Sequence, residues 1–446
     1  MKRTTAVALL ATASVLALSA CSSAGGDDAA GGEVTLDYWL WDDTQLPLYQ
    51  GCADAFHEAN PEITVKLTQT GWAQYWQNLS TQITAGTAPD VFTNQISYFL
   101  QFVETNQLLD LTDRVEASDI DFADFKEGLA DRWVYEGKRY GLPKDWDTVA
   151  YLYDVPAAEA AGYSAGDVAA LTWNPQDGGT FGEFVKALTL DSAGRTGLDP
   201  AFDKGSVVRY GYYPEWGDGA TGQNGWGNFA HSNGFTYSDE DVAPTTFNFD
   251  SAPLVETMTW IQQMIDGGYM PAFDSQSTLG TEAVMTSGTA ASTIAGSWMA
   301  STYVGPDATV DLAFAPVPEG PEGRTAATNG LSDVIWSGTK HPDEAYRWVE
   351  YLASAECQDA VGSAGLIFPA RSSGTDAAMA AREEAGIDST AFVSVADDGE
   401  TFMLPAFNRA AEVNTAVQDA MQAIAQGADP QQRLTEANDA VEALFQ

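Results

Sequence analysis

Residues 34–67 read VTLDYWLWDDTQLPLYQGCADAFHEANPEITVKL, and their periodicity changes twice within that span. Val34, Leu36, Tyr38 and Leu40 alternate with polar or outward-facing residues, the pattern of a strand with one buried face. Tyr49, Cys52, Ala53 and Phe56 then recur at i, i+3, i+4 and i+7, the spacing of one helix face, and Asn60-Pro61 stops that helix. Ile63, Val65 and Leu67 restore the two-residue period. The unit then repeats: a helix around Tyr75, Leu79 and Ile83 ends at Gly86, and Asp90-Val91-Phe92 begins a third strand. Strands alternating with helices predict an α/β fold with a parallel sheet and right-handed crossovers. Ligands of such sheets sit beyond the carboxyl ends of the strands. That rule puts Trp41, Asp42, Asp43, Asn94 and Gln95 at the edge of a cleft.

Upstream of this unit the chain reads as an export signal. Lys2 and Arg3 give a positive start, and Ala6 to Leu18 form an apolar run too short to anchor a bilayer span. Leu18-Ser19-Ala20-Cys21 resembles a bacterial lipobox, in which the cysteine is lipidated before cleavage. Residues 1–20 are therefore expected to be a lipoprotein signal peptide. Residues 21–32 are expected to be a lipidated tether, because Ser22 to Gly32 contains no apolar residue larger than Ala. No later stretch reaches about 18 apolar residues, the length that reads as a span.

Composition narrows the partners. A formal net charge of -43 excludes nucleic acid, because polyanions repel each other. The length of 446 residues predicts two to three domains. Aromatic residues make up 11% of the chain, with 13 Trp, more than an ordinary core needs. Many fall between Gly211 and Phe249, a loop-rich stretch where Tyr212, Tyr213, Trp216, Trp226, Phe229 and Phe235 sit among Gly and Asn. Helical periodicity resumes with Leu254, Met258, Ile261 and Ile265 and again after Asp343. Val413, Val417, Met421 and Ile424, then Leu434 to Leu444, predict a C-terminal pair of amphipathic helices.

Enzyme signatures are sparse. His57, His231 and His341 lie far apart in no metal-ligand spacing, and no nucleophile elbow, phosphate-binding loop or paired-cysteine motif occurs. No cofactor or metal is expected. With Cys21 lipidated, Cys52 and Cys357 are an even number in an oxidising compartment. They read as a disulfide or as two small buried thiols.

Gly141 to Asp154 (GLPKDWDTVAYLYD), following Tyr135-Glu136-Gly137-Lys138-Arg139-Tyr140, resembles the family 1 extracellular solute-binding proteins of carbohydrate ABC transporters. Further phrases match in order. They are Trp39-Leu40-Trp41-Asp42-Asp43, Asn60-Pro61 before Ile63-Thr64-Val65, and Gly86-Thr87-Ala88-Pro89-Asp90-Val91-Phe92. Ala295-Gly296-Ser297-Trp298 and Gly338-Thr339-Lys340-His341-Pro342 complete the set. The resemblance implies a periplasmic-binding-protein-like fold of two hinged α/β lobes closing on a ligand. Lobe 1 would comprise residues 33–144 and 326–367, and lobe 2 residues 145–325 and 368–446. Hinge segments would cross near 145–150, 323–330 and 366–373. The pattern puts both Cys52 and Cys357 in lobe 1.

Family sites stack aromatic side chains on sugar rings and surround them with carboxylates and amides. By position, the resemblance makes Asp147 a hinge-strand ligand contact and Trp298 a stacking residue. Asp42 and Asp43 would be acidic contacts or helix caps. Asn94 stands where the family has a stacking Trp. Trp226 matches a cleft-region Trp, and Trp41, Trp146, Trp216 and Glu412 complete the candidate set. The expected function is an extracytoplasmic, lipid-anchored, monomeric receptor. It would bind an oligosaccharide and deliver it to ABC permease subunits served by a separate ATPase. The competing readings are a secreted glycoside hydrolase or lyase, and a receptor for a non-sugar solute.

Overall fold

The computed structural model describes residues 33–273 and 280–446. The expected signal peptide, Cys21 and the tether lie outside the described residues. The opening unit forms as its periodicity requires: strand β1 (Val34–Leu40), helix α1 (Leu46–Ala59), strand β2 (Ile63–Gln69), helix α2 (Trp72–Ala85), strand β3 (Val91–Gln95) and helix α3 (Ile96–Glu104). β1 pairs in parallel with both β2 and β3. Helix α1 buries Tyr49, Cys52, Ala53 and Phe56, and its end is closed by Asn60, whose side-chain amide donates to the Phe56 carbonyl. Helix α2 ends where Gly86 takes φ 71°, a left-handed turn that glycine adopts without a Cβ clash.

One strand organises the rest. Gly141–Asp154 is buried along its whole length except at Asp154. Its first half, through Thr148, pairs antiparallel with the strand Ala326–Ile335, which in turn pairs with β3. From Val149 onward it pairs instead with Ser292–Gly296 and Leu312–Ala315. Two sub-sheets thus share one strand, and the change of partner falls at Thr148 and Val149. The registry slips between Leu331 and Ser332, opposite Asp145 and Pro143. Pro143 has no N–H to give a ladder, and proline inside sheets is confined to such bulges and edges. The slip turns Lys144 into the protein interior. Its Nζ donates to the Tyr38 hydroxyl (2.6 Å) and Thr93 Oγ1 (2.9 Å) and lies 3.6 Å from Asp333, with both charged side chains buried.

The C-terminal helix pair is Ala410–Ala425 and Pro430–Glu442, burying Val413, Val417, Met421 and Ile424 on the first and Leu434 and Val441 on the second. The helix Ser372–Glu384 packs on the helix Ala355–Gly362 and the short strand Phe368–Pro369. Its buried Ala378 belongs to the same apolar cluster as Leu36 and Ile63 of β1 and β2. A disulfide joins Cys52 of α1 to Cys357 of the helix Ala355–Gly362. Among the described residues no helix is long and apolar enough to cross a membrane.

Candidate ligand cleft

Where the long strand changes partners, a cavity of about 600 Å³ opens. The end of β1 brings Trp41, Asp42 and Asp43 to it; the long strand brings Asp145, Trp146 and Asp147. Ser297 and Trp298 follow the strand Ser292–Gly296, and Asn329 comes from the strand Ala326–Ile335. The loop at 215–224 supplies Glu215, Asp218, Gln223 and Asn224, and Glu282 stands at its edge. Among the described residues that line it, none is Lys, Arg or His.

Local chemistry sets each side chain. Asp42 is committed to its own turn: its Oδ1 accepts from the Thr44 N–H (2.8 Å) and hydroxyl (2.7 Å), and its Oδ2 from the Gln45 amide (2.8 Å). Asp147 accepts from Gln223 Nε2 (2.6 Å) and Asn329 Nδ2 (3.3 Å). Burial, and next the charge of Asp145, hold the Asp147 carboxyl well above the usual carboxylate range, against the pull of those two amides. Burial also pushes Asp145 up to about 7; Lys144 opposes the shift, and Asp333 and Asp42 add to it. Asp218, enclosed beside Glu215, is pushed up to about 7 by that enclosure and by the neighbouring charge. Three buried acceptor atoms on the lining have no partner among the described residues: Asp145 Oδ2, Asn224 Oδ1 and Asn329 Oδ1. Buried polar atoms are nearly always paired, so these three stand out on the lining.

Trp298 owes its position to the glycine two residues before it. A Cβ on Gly296 would sit 2.0 Å from Cζ3 of the Trp298 indole, so only glycine lets the ring lie against the strand end. Trp146 turns the other way from its acidic neighbours. Its ring stacks on Phe368 at 5.0 Å under the Lys126 ammonium, and its Nε1 donates to Thr375. It supports the cavity wall.

Of the ten residues expected at the ligand, Trp41, Asp42, Asp43, Trp146, Asp147 and Trp298 line this cavity, and four do not. Asn94 is fully buried near the end of β3, and the next residue, Gln95, reaches the cavity instead. Trp216 is buried in the larger apolar cluster, its neighbours Glu215, Gly217 and Asp218 taking the lining positions. Trp226 packs under Gly222 and edge-on to Phe235 and Tyr237. Glu412 is exposed and paired with Arg409 at 3.0 Å. In each case side-chain direction, which spacing along the chain does not fix, decided the outcome. Sequence reasoning missed Asp145, Gln223, Asn224 and Asn329, as well as Glu215 and Asp218. Asp145 carried a signal, since it lies two residues before Asp147 on the same strand and so faces the same side. The loop residues carried none.

A second cavity, about 1070 Å³, adjoins the first and shares Trp72, Gln95, Gly217, Asp218 and Gln223 with it. Trp72 stands edge-on to Trp41 at 5.1 Å and to Trp76 at 5.5 Å, and Trp76 stacks on Tyr98 at 3.8 Å.

The fold is that of a two-lobed α/β protein, with a cavity beside the strand that its two sub-sheets share. The chain belongs to the bacterial extracellular solute-binding proteins, whose family model matches residues 51–386. That membership places the folded body outside the cytoplasm, and the family read from the motifs holds. It is 26% identical over 369 residues to a lactose-binding protein of Rhizobium radiobacter, covering 80% of this chain and 76% of that one. It is 23% identical over 350 residues to a maltodextrin-binding protein of Bacillus subtilis, covering 78% of this chain and 75% of the relative. Its fold matches that of an ABC substrate-binding protein from Listeria monocytogenes, solved in complex with cycloalternan. That match has a TM-score of 0.79 at 18% identity, over 93% of this chain and 99% of that one.

Proposed function

We propose that this protein is the receptor of an ABC importer and that it captures an uncharged oligosaccharide in the cleft at Asp147. The observation that carries the reading is the combination of indoles and unpartnered buried acceptors in one cavity. Trp41 and Trp298 offer flat apolar faces, which suit the less polar faces of pyranose rings. Asp145 Oδ2, Asn224 Oδ1 and Asn329 Oδ1 call for donors, and sugar hydroxyls supply them. Carboxyls without a facing base disfavour phosphosugars and uronates, because buried like charges repel. The sugar ligands named for the two relatives support the same class.

In this reading residues 33–144 and 326–367, with the helix Ser372–Glu384 packed on them, form one lobe, and 145–325 with the C-terminal helix pair form the other. Sugar binding shifts the population toward the closed form, the shape offered to the permease. The protein turns nothing over, acts as a monomer, and is held to the outer face of the membrane by lipid on Cys21. Calorimetry across a panel of neutral oligosaccharides, with chromatography of the sugars afterwards, tests the core of this. Saturable binding with intact sugar is expected; cleavage products, or no binding by any neutral sugar, refute it. The anchor has its own check. Cys21→Ser is expected to leave the protein unprocessed or release it from the membrane fraction, and unchanged retention refutes the anchor alone.

A further inference from the structure

The second cavity has an unusual lining for a chain with 63 acidic residues. One wall is a face of α2, with Gln77, Ser80, Thr81 and Thr84 at i, i+3, i+4 and i+7. The opposite wall is a face of the helix Ala410–Ala425, with Ala411, Asn414, Thr415 and Gln418 at the same spacing. Every one of these residues is uncharged, and among the described residues Asp218, at the junction with the first cavity, is the only ionisable carboxyl on the lining. An acidic protein that solvates its helices with carboxylates has kept them off two facing helix surfaces. The floor belongs to α3. The backbone N–H of Ala411 donates to Gln101 Oε1 at 3.1 Å, closing one end, and Tyr98 hydrogen-bonds Asn414. The Ser97 hydroxyl lines the same space, is 1% exposed, and has no protein partner. Trp72, 40% exposed, forms the threshold between the two cavities with its ring open to both.

Uncharged walls on both sides, threonine hydroxyls that donate to their own helices and keep their acceptor capacity, and a solvent-exposed indole at the entrance suit a second stretch of the same kind of ligand. We infer that this corridor is an extension subsite, so that the protein selects linear oligosaccharides long enough to run from the Asp147 cavity past Trp72 and between the two helices. The inference rests on the receptor reading above and adds to it a site and a length preference. The corridor alone, at about 1070 Å³, reaches the upper end of the range of roughly 300–1,000 Å³ typical of ligand pockets. Space for more than a disaccharide is therefore present.

The test uses the mature protein and four series of linear probes from disaccharide to pentasaccharide: α-1,4-glucose, β-1,4-glucose, β-1,4-mannose and β-1,4-galactose. Calorimetry is expected to show affinity rising at least tenfold from disaccharide to tetrasaccharide in the series that binds. Thr81→Trp and Thr415→Trp place a bulky ring in the corridor from exposed helix positions, where the fold tolerates it. They are expected to bring the tetrasaccharide within about twofold of the disaccharide, while Glu58→Trp, at an exposed position of α1 that lines neither cavity, leaves the gain intact. Circular dichroism confirms folding. Equal affinity for all lengths in the unaltered protein, or a length gain that survives both corridor variants, overturns the subsite and leaves the receptor reading standing. Failure of every series to bind overturns both.

Discussion

Gly296 and Trp298 make one device. The glycine carries no special backbone angle, with φ -80°; what it provides is the room its missing Cβ leaves for the indole. Gly296→Ala should therefore act like a partial loss of Trp298, weakening sugar binding about tenfold by displacing the ring. Trp298→Ala removes a face worth on the order of 1–3 kcal/mol, a loss of about tenfold to a hundredfold. Calorimetry with circular dichroism checks both, and wild-type affinity in both variants would move the site elsewhere. Asp145 makes a separate prediction. Its folded pKa of about 7 lies above the ordinary carboxylate value of 3.8, so the folded state holds the proton more tightly than the unfolded chain. The stability it contributes is complete below about pH 4 and is lost as pH rises to about 7. Asp145→Asn removes this dependence. Urea midpoints at pH 5 and pH 8 should differ less in the variant than in the wild type; identical differences would mean that Asp145 titrates normally.

Elements hold these residues in place through few but specific contacts. The loop that carries Glu215 and Asp218 has no regular structure of its own. The helix Ala410–Ala425 pins it: Asn414 Oδ1 accepts from the Ala220 N–H (2.8 Å), Gln418 Oε1 from the Gly219 N–H (2.7 Å), and the Gln418 amide donates to the Trp216 carbonyl. The double change Asn414→Ala with Gln418→Ala should raise hydrogen exchange across 216–220 and weaken ligand binding, with little effect on β1–β3. Unaltered exchange there would show that the loop is held by other contacts. The disulfide acts at the same scale but away from the cleft. It joins α1 to the helix Ala355–Gly362 across a sequence separation of 305, so removing it should lower stability by at most about 5 kcal/mol. Ligand affinity should not change in Cys52→Ser with Cys357→Ser. A large affinity loss on calorimetry would mean that the link also shapes the site.

At the scale of the whole molecule, the strand Gly141–Asp154 binds two sub-sheets together and sets its acidic residues where they meet. If lobes move about Thr148 and Val149, sugar should compact the protein. Small-angle scattering is expected to give a smaller radius of gyration with saturating ligand, and thermal unfolding a stabilisation of about 2.7 kcal/mol at a hundredfold excess over Kd. An unchanged scattering curve with a raised Tm would point to a preformed, rigid cleft.

The alternation of Val34, Leu36, Tyr38 and Leu40, the Tyr49–Phe56 helix face and the Asn60-Pro61 stop were enough to specify the parallel β1–β3 unit. Burial periodicity is a local property, and the chain records it directly. The strand-end rule pointed to Trp41, Asp42 and Asp43 and motif order to Asp147 and Trp298, and all five line one cavity. Tertiary structure alone decided which aromatics face solvent. Trp226 and Trp72 both stand among polar residues, yet one is packed against Phe235 and the other is open to two cavities. It also brought Gln223 and Asn329 to Asp147, gathered Glu215 and Asp218 into the same cavity, and set the uncharged face of α2 across a second cavity from that of the helix Ala410–Ala425. These juxtapositions depend on how distant elements pack, and no spacing within a single segment encodes that.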